Sequence, residues 1–127
     1  MDYQISVEKL GFSYDIKKVL EQVDMNISKG SFFCLVGPNG SGKSTLLRVI
    51  SAALKPREGV VYFEGRNINE MKTRSVAKVL AFVPQNTSLE FDFKVSDVVL
   101  MGRYPYVNKL KGETGQDFEI AEKAMEY

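Results

Sequence analysis

The sequence predicts an α/β fold built around a phosphate-binding loop, with an antiparallel β portion ahead of it and the start of a helical portion behind. Three observations carry this. The first is "GPNGSGKST", Gly37 to Thr45, which stands between the apolar run "SFFCLV" and a stretch of helical period. The second is the alternation of apolar and polar residues in "QISVEKL" and "VDMNIS", the two-residue period of half-buried strands. The third lies near the end of the chain. There Thr114 and Asp117 fit a capping box, and Phe118, Ala121 and Met125 fall on one helix face.

The elements follow in order. Ile5, Val7 and Leu10 mark the first strand, and "VDMNIS" marks the second. Ser28-Lys29-Gly30 then turns the chain into "SFFCLV". That run is apolar throughout, which suits a central strand covered on both faces. Cys34 lies inside it and reads as a small core residue. After the loop, Leu46, Leu47, Ile50 and Leu54 repeat at helical spacing, and Lys55-Pro56 supplies a stop. "GVVYFEGRNI" reads as a hairpin turning at Glu64-Gly65-Arg66-Asn67. "EMKTRSVAKVL" reads as a short helix, "AFVP" as a short buried strand, and "VSDVVLMGR" as a helix closed by Pro105. The last helix runs into Tyr127 with no glycine, asparagine or proline to end it. The expectation is a chain that stops in mid-helix.

Composition removes whole classes of chemistry. The 127 residues contain no histidine, so histidine triads, HExxH zinc sites and a histidine base are excluded. One cysteine, Cys34, permits no internal disulfide and fits a reducing cytoplasm. Seventeen basic against 16 acidic residues leave +1, which gives no global field toward nucleic acid or an anionic membrane. No apolar run approaches the ~18 residues of a membrane span, and the start "MDYQISVEKL" lacks a signal-peptide layout. A bound metal would be a hard ion such as Mg2+, held by oxygen.

The loop itself is specific. Gly37, Gly42, Lys43 and Ser44 complete G-x-x-x-x-G-K-[ST]. Glycines let the backbone N–H groups of Gly37, Asn39, Gly40, Ser41 and Gly42 curl around a phosphate, with Pro38, which has no N–H, shaping the bend between them, and the following helix adds its positive end. Lys43 is placed to reach β and γ phosphates, Ser44 to hold Mg2+, and Thr45 to donate near the α phosphate. The anion is therefore a nucleotide. The loop alone does not choose among kinases, GTPases and transport ATPases.

The wording "GPNGSGKSTLL", with "GFSYD" before it and "AFVPQ" after it, resembles the ATP-binding subunits of ABC transporters over essentially the whole chain. That resemblance implies residues 1–93 as the N-terminal part of the nucleotide-binding core and 94–127 as the beginning of a helical subdomain. It implies ATP and Mg2+ as ligands, Tyr14 as the aromatic that stacks on adenine, and Gln85 as the Q-loop glutamine that touches Mg2+ and senses the γ phosphate. Lys43 and Gln85 are then the catalytic candidates. "VSDVVLMGRYPY" looks most like importers of iron-siderophore, haem or vitamin B12 type, although Lys94-Val95 stands where a threonine is common before the valine.

The family also uses an LSGGQ signature, an aspartate ending a second buried strand, an adjacent glutamate and a switch histidine. None of these occurs here, and Glu64 and Asp92 are poor stand-ins for the acid. The expectation is the N-terminal part of a longer ATPase, able to bind nucleotide but inactive in hydrolysis by itself. The run "SFFCLV", deprived of its neighbour, is then expected to invite self-association. The resemblance implies a cytoplasmic subunit on the inner face of the membrane, paired with a second ATP-binding subunit and with a permease. Two other functions stay open: a nucleotide-binding module without hydrolysis, and a non-transport relative acting on DNA or ribosomes. Residues 89–106 form the expected permease-docking patch. Leu89, Phe91, Phe93, Val95, Val98, Val99, Leu100, Met101, Tyr104 and Tyr106 supply its apolar surface, and Lys94, Asp97 and Arg103 rim it.

Overall fold

The computed structural model describes residues 3–86, 92–108 and 110–126. The chain divides into two compact units, Met1–Val76 and Ala77–Tyr127. In the first, β1 (Tyr3–Tyr14) and β2 (Lys17–Ser28) form a long hairpin, α1 spans Lys43–Ile50, and β3 (Glu58–Phe63) and β4 (Arg66–Asn67) follow. The strands make one sheet in the order β2-β1-β3-β4, antiparallel throughout. The antiparallel N-terminal portion is as the alternation predicts. Its two strands are longer than the alternating runs alone, and they are joined at Asp15 and Ile16.

The length of these strands depends on bulges. Val7 and Leu10 are both buried although three residues apart, a spacing that puts side chains on opposite faces of a regular strand. Lys9 intervenes with a φ of 49°, and the β1–β2 register shifts between Val7 and Leu10. The extra residue turns both side chains inward. The Lys9 amide donates instead to Asp24 Oδ1 at 2.9 Å, and its ammonium pairs with Asp24 Oδ2 at 3.2 Å. Across the sheet stands Gly59, with a φ of 74°; a Cβ there would run into the carbonyl oxygens of Glu8 and Lys9.

Leu46, Val49 and Ile50 bury one face of α1, while Leu47, expected on that face, is exposed. The helix also ends sooner than Lys55-Pro56 suggests. Ala52 adopts a left-handed φ of 58°, and the amides of Ala53 and Leu54 both fold back onto the Arg48 carbonyl, at 2.9 and 3.0 Å. That satisfies the closing carbonyl before Leu54 can join the helix. The hairpin turn falls at Glu64-Gly65, with β3 and β4 pairing through Phe63 and Arg66.

The run "SFFCLV" departs most from expectation. Residues 31–36 form no strand. Among the described residues the backbone of Phe32 to Val36 makes no hydrogen bond. Phe32 is 98% exposed, Val36 is 85% exposed, and Cys34 is exposed rather than buried in a core. Apolar character gives a segment a reason to be covered but no partner to pair with. Parallel neighbours have to come from distant stretches of chain, and no described strand pairs with this one. "AFVP" behaves alike: it is not a strand, and Phe82 and Val83 are exposed.

Helix α2 (Thr73–Val79) begins in the first unit, where it buries Val76. The second unit holds α3 (Val95–Met101) and α4 (Gly115–Met125). Their link is ionic. Arg103 Nε donates to Asp117 Oδ1 at 3.0 Å, with the two side chains only 20% and 8% exposed. Asp117 Oδ2 accepts from the Thr114 amide at 3.0 Å and the Thr114 hydroxyl at 2.8 Å, as the capping box predicts. The Thr114 amide, then its hydroxyl, then Arg103 hold the Asp117 carboxyl below its ordinary pKa. The Arg103 guanidinium also lies 4.2 Å from the Tyr106 ring centre. Arg103 is thus an internal tie, not a rim charge of an exposed patch. Ala121 is the buried apolar residue of α4, whereas Phe118 and Met125 stay exposed.

Candidate functional site

The loop Gly37–Gly42 leads directly into α1. Gly40 and Gly42 take φ values of 81° and 91°, a conformation that costs any residue with a Cβ. At Gly42 space is short as well. An added Cβ would lie 3.1 Å from both the Leu20 Cδ2 and the Val19 carbonyl oxygen. At Gly37 it would meet the Ser41 hydroxyl at 3.1 Å. Strand β2 therefore buttresses the loop through Val19 and Leu20. Sequence reasoning missed this contact, because the loop motif carries no trace of a partner some twenty residues upstream.

Lys43 opens α1 and turns back over the loop. Its ammonium donates to the Gly37 and Pro38 carbonyls, each at 2.7 Å, and to Ser41 Oγ at 3.4 Å. The Ser41 amide closes the turn on Pro38 O at 3.3 Å. One cation and a ring of backbone thus set the shape of the loop. The amides of Lys43, Ser44 and Thr45 begin the helix, where N–H groups have no intrahelical acceptor. Together with the helix dipole, N–H groups of this kind are suited to an anion. Ser44 is exposed on this first turn, whereas Thr45 is buried beneath it. The donors suit a phosphate group, and the Ser44 hydroxyl suits a hard divalent ion bridged to that phosphate. Pro38 and Asn39 are exposed at the outer bend.

Tyr14 ends β1 on the same sheet. It is 43% exposed, and its ring meets Phe12 edge-on, centroids 4.9 Å apart. Its cross-strand partner is Lys17, three residues before Leu20, so the hairpin tip lies about 10 Å along β2 from the loop buttress. Gln85 belongs to the second unit and is exposed there. Leu89 and Phe91 lie outside the described residues. Phe93, Val95, Met101, Tyr104 and Tyr106 are exposed, and α3 buries none of its residues.

Comparison with known proteins agrees with this geometry. The family model described as "ABC transporter" matches residues 20–127. The "Probable siderophore transport system ATP-binding protein YusV" of Bacillus subtilis (strain 168) is 41% identical over 121 residues, covering 95% of this chain and 44% of that protein. The hemin import ATP-binding protein HmuV of Gloeobacter violaceus is 43% identical over 107 residues, covering 84% of this chain and 38% of its own length. A solved inward-facing transporter assigned to the metal-chelate type superposes with a TM-score of 0.77 at 31% identity. It covers all of this chain and 45% of the other. The chain spans less than half the length of these relatives.

Proposed function

Because this chain belongs to the ABC transporter family, we propose that it is the ATP-binding portion of a transporter ATPase that energises solute import of the iron-siderophore, haem or cobalamin type. The loop carries the reading. Left-handed Gly40 and Gly42 shape it, Lys43 closes it, and the first turn of α1 begins immediately after it, where helix N–H groups lack intrahelical acceptors. The substrate class rests on relatives whose names speak of siderophore and hemin import.

In this reading Tyr14 stacks on the adenine, and the backbone N–H groups of Gly37 and of residues 39–45 receive the phosphates, Pro38 having none to give. Lys43 neutralises the β and γ groups. Ser44 would hold Mg2+, which supplies charge neutralisation on the phosphates when bound, and Gln85 takes the Mg2+ and γ-phosphate role that the family resemblance gives it. Residues 1–93 form the nucleotide core, and 94–127 begin the helical part. Hydrolysis requires an acid, a signature loop and a second ATP-binding subunit beyond this chain's own residues. The exposed side chains of Phe93, Val95, Met101, Tyr104 and Tyr106, rimmed by Lys94 and Asp97, form the surface offered to a permease. That would place the subunit on the cytoplasmic face of the membrane.

Calorimetric titration with ATP tests this. Lys43→Ala removes the one cation held at the loop and is expected to abolish measurable binding. Equal affinity in mutant and parent would rule the reading out.

A further inference from the structure

Lys17 faces Tyr14 across the last rung of the β1–β2 hairpin. Residues directly opposite in an antiparallel pair share a face, with Cβ atoms about 5 Å apart. Next along that face is Phe12, whose ring touches Tyr14. Opposite Phe12 stands Leu20, which abuts Gly42. One row of side chains therefore leads from the start of α1 to the hairpin tip. The two lysines at that tip differ. Lys18 is held by Glu21 at 3.0 Å, whereas the Lys17 side chain has no ion pair or hydrogen bond among the described residues.

We propose that Lys17 is a further nucleotide-binding residue, whose ammonium donates to a ring nitrogen of the purine stacked on Tyr14. This rests on the nucleotide reading above. A base lying on the Tyr14 ring brings its edge within reach of a flexible four-carbon stem rooted one strand away. A purine edge offers ring-nitrogen acceptors such as N7, and an ammonium offers three donors and no acceptor. Stacking holds any base; a donor beside the stack favours one with an acceptor at its edge.

The experiment titrates the chain with ATP and, separately, with inorganic tripolyphosphate. It compares the parent with Lys17→Met, Lys17→Arg and Lys18→Met. Lys17→Met is expected to weaken ATP about three- to tenfold while leaving tripolyphosphate affinity and melting temperature unchanged. Lys17→Arg should retain ATP affinity, and Lys18→Met should alter neither ligand. Unchanged ATP affinity in Lys17→Met overturns the proposal. So does an equal loss for both ligands, which marks Lys17 as a general charge and not a base contact. A parent chain that binds neither ligand fails at the nucleotide reading itself, a result distinct from the other two.

Discussion

The hairpin of β1 and β2 and the run Ser31–Val36 that follows it make opposite use of apolar residues. The hairpin is half polar, yet it forms two 12-residue strands with Val7, Leu10, Phe12 and Leu20 in the core. The run is almost wholly apolar, yet it pairs with no described strand, and Phe32, Phe33, Cys34 and Val36 are open to water. Hydrophobicity does not separate them. The hairpin's partners are neighbours in sequence, brought together by a two-residue turn at small entropic cost. A parallel strand has no such local partner.

Mutations can break or sharpen this contrast. The largest effect is expected from Leu10→Ala, where the side chain is fully buried between the bulges. Its loss should cost about 2–5 kcal/mol, seen as a lower urea midpoint. A cost near zero would mean that the sheet is no better packed than the run.

An intermediate effect is expected in acid, confined to the helical unit. The Asp117 carboxyl is held below its ordinary pKa, first by the Thr114 amide. The unfolded chain therefore takes up that proton more readily than the folded one. The stability it contributes is fully present above the ordinary carboxylate pKa and is lost as pH falls through the lower folded value. Asp117→Asn should flatten the acid limb of helix unfolding followed by circular dichroism. An unchanged limb would show that the Arg103 tie does not hold α3 and α4 together.

The smallest effect belongs to the run itself. Phe32→Ala should change stability by less than about 0.5 kcal/mol, although it deletes an aromatic ring. Cys34 should react with a thiol reagent in native buffer as fast as in urea. A protected Cys34, or a costly Phe32→Ala, would reveal that the run is covered after all.

What could be read from the sequence was local. The Thr114–Asp117 capping box depends on residues three positions apart and forms as expected, and the turn expected over Glu64-Gly65-Arg66-Asn67 narrows to Glu64-Gly65, with Arg66 and Asn67 already paired in β4. The antiparallel portion was legible from its alternation. The bulges at Lys9 and Gln22 were not, since a left-handed residue inside a strand leaves no mark beyond a broken period. Sequence alone makes Arg103 a surface charge, because its partner Asp117 lies 14 residues away in α4. Long-range pairing decides such cases, and "SFFCLV" shows the same limit from the other side: its composition asks for partners without saying where they are.

The open run has a consequence for timing and linkage. With no acceptor among the described residues, the amides of Phe32 to Val36 should exchange hydrogen with solvent at nearly the rate of an unstructured peptide, while those of β1 stay protected. Val36 also adjoins Gly37, so the loop begins where the run ends. Any strand that pairs with the run fixes the backbone entering the loop, and any ligand that fixes the loop stiffens the end of the run. The two equilibria are reciprocal by necessity: a nucleotide that slows exchange at Val36 does so by the same free energy with which a paired strand would tighten the nucleotide.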